Sequence, residues 1–159
     1  MTDTVVHHQP VWRERATFII AARLDESGSE QRWRWEQLWA RQIGDNRFEV
    51  CCIPFFVYDL ALADEVETTD LDGKEYVVSS VLNQSGRFTF RAWFSPNVPR
   101  DVIIEEITSL GYLIEERWPG SRLIAIDAAD YEKAQALADL LHLKELSGVL
   151  KYETGRITP

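Results

Sequence analysis

The sequence predicts an α+β protein, with a small antiparallel β-barrel-like half followed by a ferredoxin-like β-α-β-β-α-β half. Two observations lead to this fold class. Short β-type segments before residue 86 are separated by turn residues every 8–12 positions, which is typical of small barrels. After residue 86, strand patterns and two helical patterns follow in the order β-α-β-β-α-β. We therefore expect a flexible tail over residues 1–10, a curled sheet over 11–86 and an α/β sandwich over 87–159, packed together as one unit.

Turn signals divide the first half into strands. The segment "RATFIIAARL", which starts at Arg15, predicts the first strand. Trp33, Trp35 and Trp39 are separated by even numbers of residues, so a strand would carry all three indoles on one face, whereas a helix would scatter them. The "GDN" segment predicts a hairpin turn into "RFEVCCIPF", a strand that we expect to run until Pro54, which has no N–H for the ladder.

Two further strands complete the predicted barrel. A short crossover leads to a strand around residues 65–69, and Asp72-Gly73 is a two-residue hairpin signal that joins it to "KEYVVSSVLNQ". Ser85-Gly86 predicts the next turn, after which the pattern changes.

The second half contains two amphipathic helices between strands. Pro99 suits the first turn of the helix "RDVIIEEITSL", with Asp101 near its positive end. Asp130 is placed to cap the helix "YEKAQALADLLHLKEL". The strands are "RFTFRAWF", "YLIEERW", "RLIAIDA" and "VLKYETGRI". The side chains predicted to face inward are Ile103, Ile107 and Leu110 on the first helix, and Ala134, Leu137, Ala138 and Leu141 on the second.

The charge of the chain limits its partners. A net charge of −9 opposes nonspecific binding to nucleic acid and to an anionic membrane surface. The charge is uneven, because residues 1–86 carry 15 acids against 8 bases, whereas residues 87–159 carry 11 against 9. The basic and aromatic "RWRW" segment resembles a single-strand-binding surface, but the overall acidity argues against that role. With no apolar run long enough to span a membrane and no signal-peptide core, we expect a cytoplasmic protein.

The residues with reactive side chains do not form a recognisable catalytic or metal-binding pattern. Cys51 and Cys52 are adjacent, so on a strand their thiols would point to opposite faces and one would be buried. His7 and His8 fall in the predicted tail and His142 falls in a helix, which leaves no zinc ligand set. We therefore expect no cofactor, no metal and no enzymatic activity.

Two pairs of acids and one acidic turn also have simple structural explanations. We expect Glu105-Glu106 and Glu115-Glu116 to be solvated faces of a helix and a strand. The segment 70–73 begins like a calcium loop but lacks the later ligands, so a hairpin turn explains it better.

An acidic run follows the cysteine strand, and it has two possible roles. It can be a solvated strand edge that prevents aggregation, or it can be a docking surface for a basic protein partner. In the second case, Phe56 and Tyr58 are candidate aromatic anchors. The acidic residues of the run are Asp59, Asp64, Glu65, Glu67, Asp70 and Asp72.

Four motifs resemble those of DUF4265, a family of uncharacterised bacterial proteins. They are "WEQLWA" at residues 35–40, "IPFF" at 53–56, "ADEV" at 63–66 and "SGRFTFR" at 85–91. Two positions depart from the family pattern, because Ala63 stands where glycine is expected and Arg87 where histidine is expected. The resemblance covers about residues 12–157. It implies a shared fold and carries no known activity.

The function expected from the sequence is binding without catalysis. Small acidic proteins that lack catalytic constellations include immunity and antitoxin proteins, which mask a basic partner such as a toxin. The alternative is a regulatory module that binds a small molecule or dimerises edge to edge, and its sign would be a concave pocket between the helices and the sheet.

Overall fold

The computed structural model describes residues 4–24 and 34–156. Trp33, predicted to share a strand face with Trp35 and Trp39, lies outside these residues. Ten strands and two helices occur in the described part of the chain. In order they are β1 (Thr4–Val5), β2 (Phe18–Arg23), β3 (Trp35–Gly44), β4 (Arg47–Val50), β5 (Glu65–Leu71), β6 (Lys74–Asn83), β7 (Phe88–Phe94), α1 (Arg100–Ser109), β8 (Leu113–Glu116), β9 (Leu123–Ala128), α2 (Tyr131–Leu146) and β10 (Leu150–Thr154).

Strands β2 to β6 form a closed five-stranded barrel. The strands follow one another as an antiparallel meander, and the ring is completed by pairing of β2 with β6. Because direction alternates along a meander, the first and fifth strands run the same way. The closing pair is accordingly parallel, with Ala21 opposite Val77. The short β1 pairs in parallel with the first residues of β3, on the edge that pairs with β4 further along the strand. Closure leaves no open edge on β5, the strand of the acidic run.

The barrel interior is filled by alternate residues of its strands. On β3, Leu38 and Ala40 are fully buried inside the barrel. Trp35 and Trp39 lie on the opposite strand face, as the period of two predicts. Trp35 is nevertheless buried, because on the outer side of the barrel it packs against Ala21 and Val77, the two residues of the closing strand pair. Other interior residues are Ile20, Ala22, Phe48, Val50 and Val66.

The hairpin between β5 and β6 turns where the sequence predicts. Asp72 and Gly73 both have positive φ, 53° and 77°, which is the backbone geometry of a two-residue turn that matches the twist of antiparallel strands. The β3–β4 hairpin likewise turns at residues 45–46, with Asn46 at φ 58°.

The second sheet contains four antiparallel strands in the order β10-β7-β9-β8. Helices α1 and α2 cover one face, with Ile103, Ile107, Leu137 and Leu141 packed on residues of β7 and β9. Asp130 caps α2 as predicted, accepting a hydrogen bond from the N–H of Lys133 at 2.8 Å. Neither helix in the described part of the chain is long and apolar enough to cross a membrane.

Two details of this half differ from the sequence prediction. Leu110, predicted to face inward, is 50% exposed because α1 ends at Ser109 and the chain turns away at Gly111. Ala138 is only partly buried, although it still packs on the core.

The opposite face of the second sheet packs against the barrel half. Ala125 of β9 lies in one buried cluster with Val5, Leu24, Ile53 and Phe55. This contact corrects the prediction of a flexible tail over residues 1–10, because residues 4–10 hold β1 and the buried Val5, His7 and Pro10. The N-terminal segment is therefore part of the packing between the two halves.

Candidate functional site

Three ionisable side chains meet in the interior between the two halves. His7 Nε2 lies 2.7 Å from Oε2 of Glu36 on β3, and His7 Nδ1 lies 2.7 Å from Oε1 of Glu115 on β8. The three side chains are at most 1% exposed. The ring of His7 also stacks on Phe55, with centroids 4.4 Å apart. We call His7, Glu36 and Glu115 the buried clasp, because they connect the N-terminal segment, the barrel and the second sheet.

Backbone N–H groups occupy the remaining acceptor positions of the clasp. After β4 the chain leaves the barrel ladder, and residues 53–57 run between the two sheets without strand partners. Such buried backbone donors are costly unless they find acceptors. Glu36 accepts three of them at 2.7–3.0 Å, and Glu115 accepts a fourth at 2.6 Å together with an N–H of the N-terminal segment at 3.2 Å. The donors are the N–H groups of Phe55, Phe56 and Val57 for Glu36, and of Ile53 and Val11 for Glu115.

The geometry of the clasp and the pKa shifts of its members together favour a charged imidazole. Each ring nitrogen of His7 faces a carboxylate oxygen, so both nitrogens donate only when the ring is an imidazolium. Burial opposes the charged ring, but the hydrogen bonds to the carboxylates of Glu115 and Glu36 outweigh it and raise the pKa of His7 well above 6.5. Burial likewise opposes ionised Glu36, but the hydrogen bond and charge of His7 lower the pKa of this carboxyl below 4.5.

A buried carboxylate, imidazolium and carboxylate in contact have a clear structural role. Each charge is compensated by its neighbour and by N–H dipoles, so the desolvation cost is offset only while the set is complete. Removal of one member leaves an uncompensated charge in the interior. The clasp therefore links the barrel half to the second sheet, and loss of any one member would destabilise this packing.

The cysteines are buried and unsuited to nucleophilic chemistry. Strand β4 ends at Val50, earlier than predicted, and both Cys51 and Cys52 are fully buried, whereas the sequence predicts one buried thiol. Burial raises the pKa of Cys52 and raises that of Cys51 to about 12. His7 lies beside Cys52 but has both ring nitrogens engaged by carboxylates, so it does not act as its base. No group of three or more His, Cys, Asp or Glu side chains in residues 4–24 and 34–156 is arranged to hold a metal ion.

A buried arginine holds the same crossover from the other side. Arg91 of β7 is 1% exposed and donates from Nε to the carbonyl of Pro54 at 3.4 Å and from Nη2 to the carbonyl of Val57. Its Nη1 pairs with Glu153 at 3.2 Å. Residues 53–57 therefore have their N–H groups bound by the clasp and two of their carbonyls bound by Arg91.

The acidic run does not form one continuous surface. Asp64 is 3% exposed, and its two carboxylate oxygens accept the N–H groups of Ala61 at 2.9 Å and Ser85 at 2.8 Å. Burial raises the pKa of Asp64, partly offset by these hydrogen bonds. Through these two hydrogen bonds, Asp64 connects the segment before β5 to the β6–β7 turn. The prediction that Asp64 contacts a partner is therefore corrected.

The other acids of the run differ in their accessibility. Glu67 and Asp70 are exposed on the β5–β6 hairpin. Glu65 is half-buried and accepts a hydrogen bond from Asn83 at 2.9 Å, and Asp72 is exposed but pairs with Arg23. Because β5 pairs with β4 on one side and β6 on the other, the run is not a free strand edge.

The remaining predicted contact residues lie at the junction of the two halves, away from the turn of the hairpin. Tyr58 is 38% exposed, donates its hydroxyl to Glu153 at 2.7 Å and has the guanidinium of Arg91 4.8 Å from its ring centroid. Asp59 has φ 61° and donates its N–H to the carbonyl of Gly155 at 2.7 Å. Phe56 is half-buried at the margin of the clasp.

Together, the fold and the clasp define an α+β protein in which a closed five-stranded barrel is joined to a second antiparallel sheet with two helices. The chain belongs to the family described as Domain of unknown function (DUF4265), whose profile matches residues 36–152. The resemblance seen in the sequence is thereby confirmed.

A solved structure shares this fold. The protein is similar to the one described as "Novel crystal structure of a hypothetical protein from Neisseria gonorrhoeae", with a TM-score of 0.68 and 20% sequence identity. The match covers 90% of this chain and 98% of that chain. Comparison with curated proteins finds no match.

The family-like motifs meet in space. The first, 35–40, supplies Glu36, which binds the N–H groups of the second, 53–56. The third, 63–66, supplies Asp64, which binds the first residue of the fourth, 85–91. The fourth motif supplies Arg91, which donates a hydrogen bond to the carbonyl of Pro54 in the second motif. The motifs thus describe the connections that hold the two halves together.

Sequence reasoning missed the clasp for identifiable reasons. The sequence pattern predicts a tail at His7 and a solvated Glu115, whereas Glu115 is 2% exposed and His7 is 4% exposed. One signal was present, because Glu36 shares the inward face of β3 with Leu38 and Ala40. A carboxylate at such a position predicts a buried partner.

Proposed function

We propose that this is a cytoplasmic, non-enzymatic protein-binding protein of the immunity or antitoxin type, which masks a basic partner. The observation that carries the proposal is the placement of the exposed carboxylates of Glu67 and Asp70 on the β5–β6 hairpin of the closed barrel. Glu65 and Asp72 flank them, and Tyr58 supplies an exposed aromatic ring at the junction.

A neighbouring turn enlarges this acidic face. The N–H of Thr68 donates to the carbonyl of Asn46 at 2.8 Å, which brings the exposed Asp45 of the β3–β4 turn beside β5. We call the set Asp45, Glu65, Glu67, Asp70 and Asp72 the acidic face; it is interrupted by two bases, because the exposed Arg47 lies opposite Glu67 and Arg23 pairs with Asp72. Its side chains come from two adjacent hairpins whose backbone geometry is fixed by barrel closure.

Electrostatics favours a basic partner for this face. The first 86 residues hold most of the excess negative charge, so a cationic surface would be attracted before contact and oriented on contact. Charged residues of this kind raise the association rate more than they raise the final affinity. A stoichiometric inhibitor benefits from such rapid association.

The interior chemistry supports a role without catalysis. The thiols are buried and protonated, and His7 has no ring nitrogen free for a substrate. The charged groups of the clasp are compensated by one another and by backbone donors, which is the arrangement of a structural centre.

The same proposal includes a finer description of the second half. The order β7-α1-β8-β9-α2-β10 and the sheet order β10-β7-β9-β8 support a ferredoxin-like sandwich over 87–159, attached to the barrel over 11–86. The alternative function, a small-molecule-binding or dimerising regulatory module, is less well supported. Its expected pocket between helices and sheet is occupied by the buried Ile103, Ile107, Leu137 and Leu141.

Affinity capture from the native host with charge-reversed variants tests the proposal. The Glu67→Lys/Asp70→Lys protein should lose a basic protein that the unchanged protein retains in a 1:1 complex. The matched control is Glu105→Lys/Asp139→Lys, which makes the same change of charge at exposed positions of the two helices and should retain the partner. Equal retention by both variants, or a partner that is acidic, would overturn the proposal.

A further inference from the structure

An open hollow lies at the margin of the junction between the two halves. It has a volume of about 610 Å³, within the range of sites that accept a ligand or a side chain of a partner. The turn at residues 118–121 forms one side, closed by a hydrogen bond from the N–H of Ser121 to the carbonyl of Trp118 at 2.8 Å. The lining residues are Phe56, Trp93, Arg117, Trp118, Gly120, Ser121, Arg122 and Leu123.

The hollow presents aromatic surface to solvent. Trp118 is 51% exposed and Trp93 is 37% exposed, although each indole would gain free energy by burial. Within the described part of the chain, neither indole N–H donates to a protein acceptor. Tryptophan and arginine are among the residues that contribute most to the binding energy of protein interfaces, and here they lie side by side in a concave site.

The lining of the hollow has a charge opposite to that of the protein as a whole, with one carboxylate beside it, that of Glu116, which accepts the N–H of Gly120 at 3.4 Å. The chain has 26 acids and 17 lysines and arginines, yet the lining contains two arginines and no acid. Arg117 is buried, and its guanidinium lies 5.4 Å from the Trp118 ring centroid, where it supports the aromatic floor. Arg122 is exposed.

Arg122 is held in place and retains donors for a ligand. Its Nε donates to the carbonyl of Phe94 at 2.8 Å, which fixes the guanidinium at the end of β7. The two Nη groups are then available for a carboxylate, which arginine binds with two parallel hydrogen bonds. Aromatic walls with one accessible guanidinium select a ligand that combines an apolar ring with negative charge.

We propose that the hollow binds an acidic segment of a partner protein that inserts an aromatic side chain between Trp93 and Trp118 and places a carboxylate on Arg122. The open shape favours a peptide segment, because a small molecule would leave much of its surface in water. This site is distinct from the acidic face and does not depend on the function proposed for it.

A defined peptide tests the inference. The probe is an acetylated and amidated heptapeptide with one central phenylalanine between two runs of three aspartates. Binding is followed by NMR through the indole N–H resonances, assigned with Trp93→Phe and Trp118→Phe. We expect saturable shifts of these two resonances. Arg122→Glu and Trp118→Ala should each weaken binding at least about tenfold, whereas Tyr131→Ala, at an exposed site on α2, should leave it unchanged.

Three comparisons decide the outcome. A peptide with lysine in place of aspartate and a peptide with alanine in place of phenylalanine should each bind at least about tenfold more weakly, since each lacks one half of the recognised chemistry. Thermal unfolding of each variant establishes that it is folded. Equal binding of the lysine peptide, no saturable shift with the aspartate peptide, or binding of hexathymidylate in preference to the peptide would overturn the proposal.

Discussion

Nε2 of His7 lies 2.7 Å from Oε2 of Glu36, and neither side chain is exposed to solvent. This ion pair fixes the N-terminal segment on the barrel, and the second ring nitrogen extends the connection to Glu115 on the second sheet. The two halves therefore share a charged centre as well as an apolar contact, and we expect them to unfold together.

Replacement of His7 tests the structural role of the clasp. His7→Ala leaves two carboxylates buried without their cation, and we expect a loss of about 3–5 kcal/mol in the free energy of unfolding measured in urea. His8→Ala changes an exposed neighbour and should alter that free energy by less than about 0.5 kcal/mol.

If His7→Ala does not fold, a second variant still tests the structural role of the clasp. In His7→Gln/Glu115→Gln, neutral amides replace two of the three charges, so part of the lost stability should return. A His7→Ala protein as stable as the unchanged one would show that the clasp does not hold the halves together.

The clasp also predicts a pH dependence above neutrality. The pKa of His7 is raised in the folded protein, so the folded state binds a proton that the unfolded state releases above about pH 6.5. Its stabilisation is complete below that pH and is lost as the pH rises through the folded-state pKa. The decline is at most about 1.4 kcal/mol per pH unit for one proton.

The comparison with His7→Gln isolates this titration. Urea unfolding at a series of pH values from 6.5 upward should give a falling free energy for the unchanged protein and a flatter profile for the variant. Parallel profiles for the two proteins would assign the pH dependence to other groups.

The backbone at Ala63 predicts a stabilising substitution. Ala63 has φ 70°, in the left-handed region where a side chain is strained, and its N–H is bound to the carbonyl of Val50 at 2.8 Å. Ala63→Gly should raise the free energy of unfolding by about 0.5–1 kcal/mol after the greater flexibility of glycine in the unfolded chain is subtracted. Ala129→Gly, at an exposed position without positive φ, should lower it. If Ala63→Gly lowered the free energy of unfolding, the claim that the backbone at Ala63 is strained would be wrong.

The thiols provide an independent test of the interior. Cys51 and Cys52 are fully buried, and the pKa of Cys51 is raised to about 12, so a thiol reagent should react with neither in the folded protein. We expect labelling at neutral pH to be at least about a hundredfold slower than in concentrated urea, because opening must precede reaction. Rapid labelling of one thiol in the folded protein would indicate an accessible, activated cysteine.

Much of the fold follows from local patterns. The hairpin at Asp72-Gly73, the cap at Asp130 and the inward faces of α2 depend on neighbouring residues, so the sequence suffices to predict them. Barrel closure through Ala21 and Val77 is a contact between distant strands. Because strand direction alternates along a meander, the sequence predicts that β2 and β6 would pair in parallel. It does not predict that the two strands pair.

The site was less predictable because its members are far apart in the chain. His7 and Glu115 are separated by 108 residues, and the apolar Val5 and Val6 before His7 do not indicate what that segment packs against. Asp64 and Glu67 are near each other in sequence and have the same charge, yet one is buried and the other exposed. Burial of a charged side chain depends on which backbone donors surround it, and tertiary packing decides that.

The association rate with a basic partner tests the central claim most directly. In stopped-flow measurements at low and high salt, the unchanged protein should associate rapidly and slow as salt is added. Glu67→Lys/Asp70→Lys should associate at least about tenfold more slowly at low salt, with a weaker salt dependence, whereas Glu105→Lys/Asp139→Lys should stay close to the unchanged protein. Equal rates and equal salt dependence for the two variants would contradict a docking role for the acidic face.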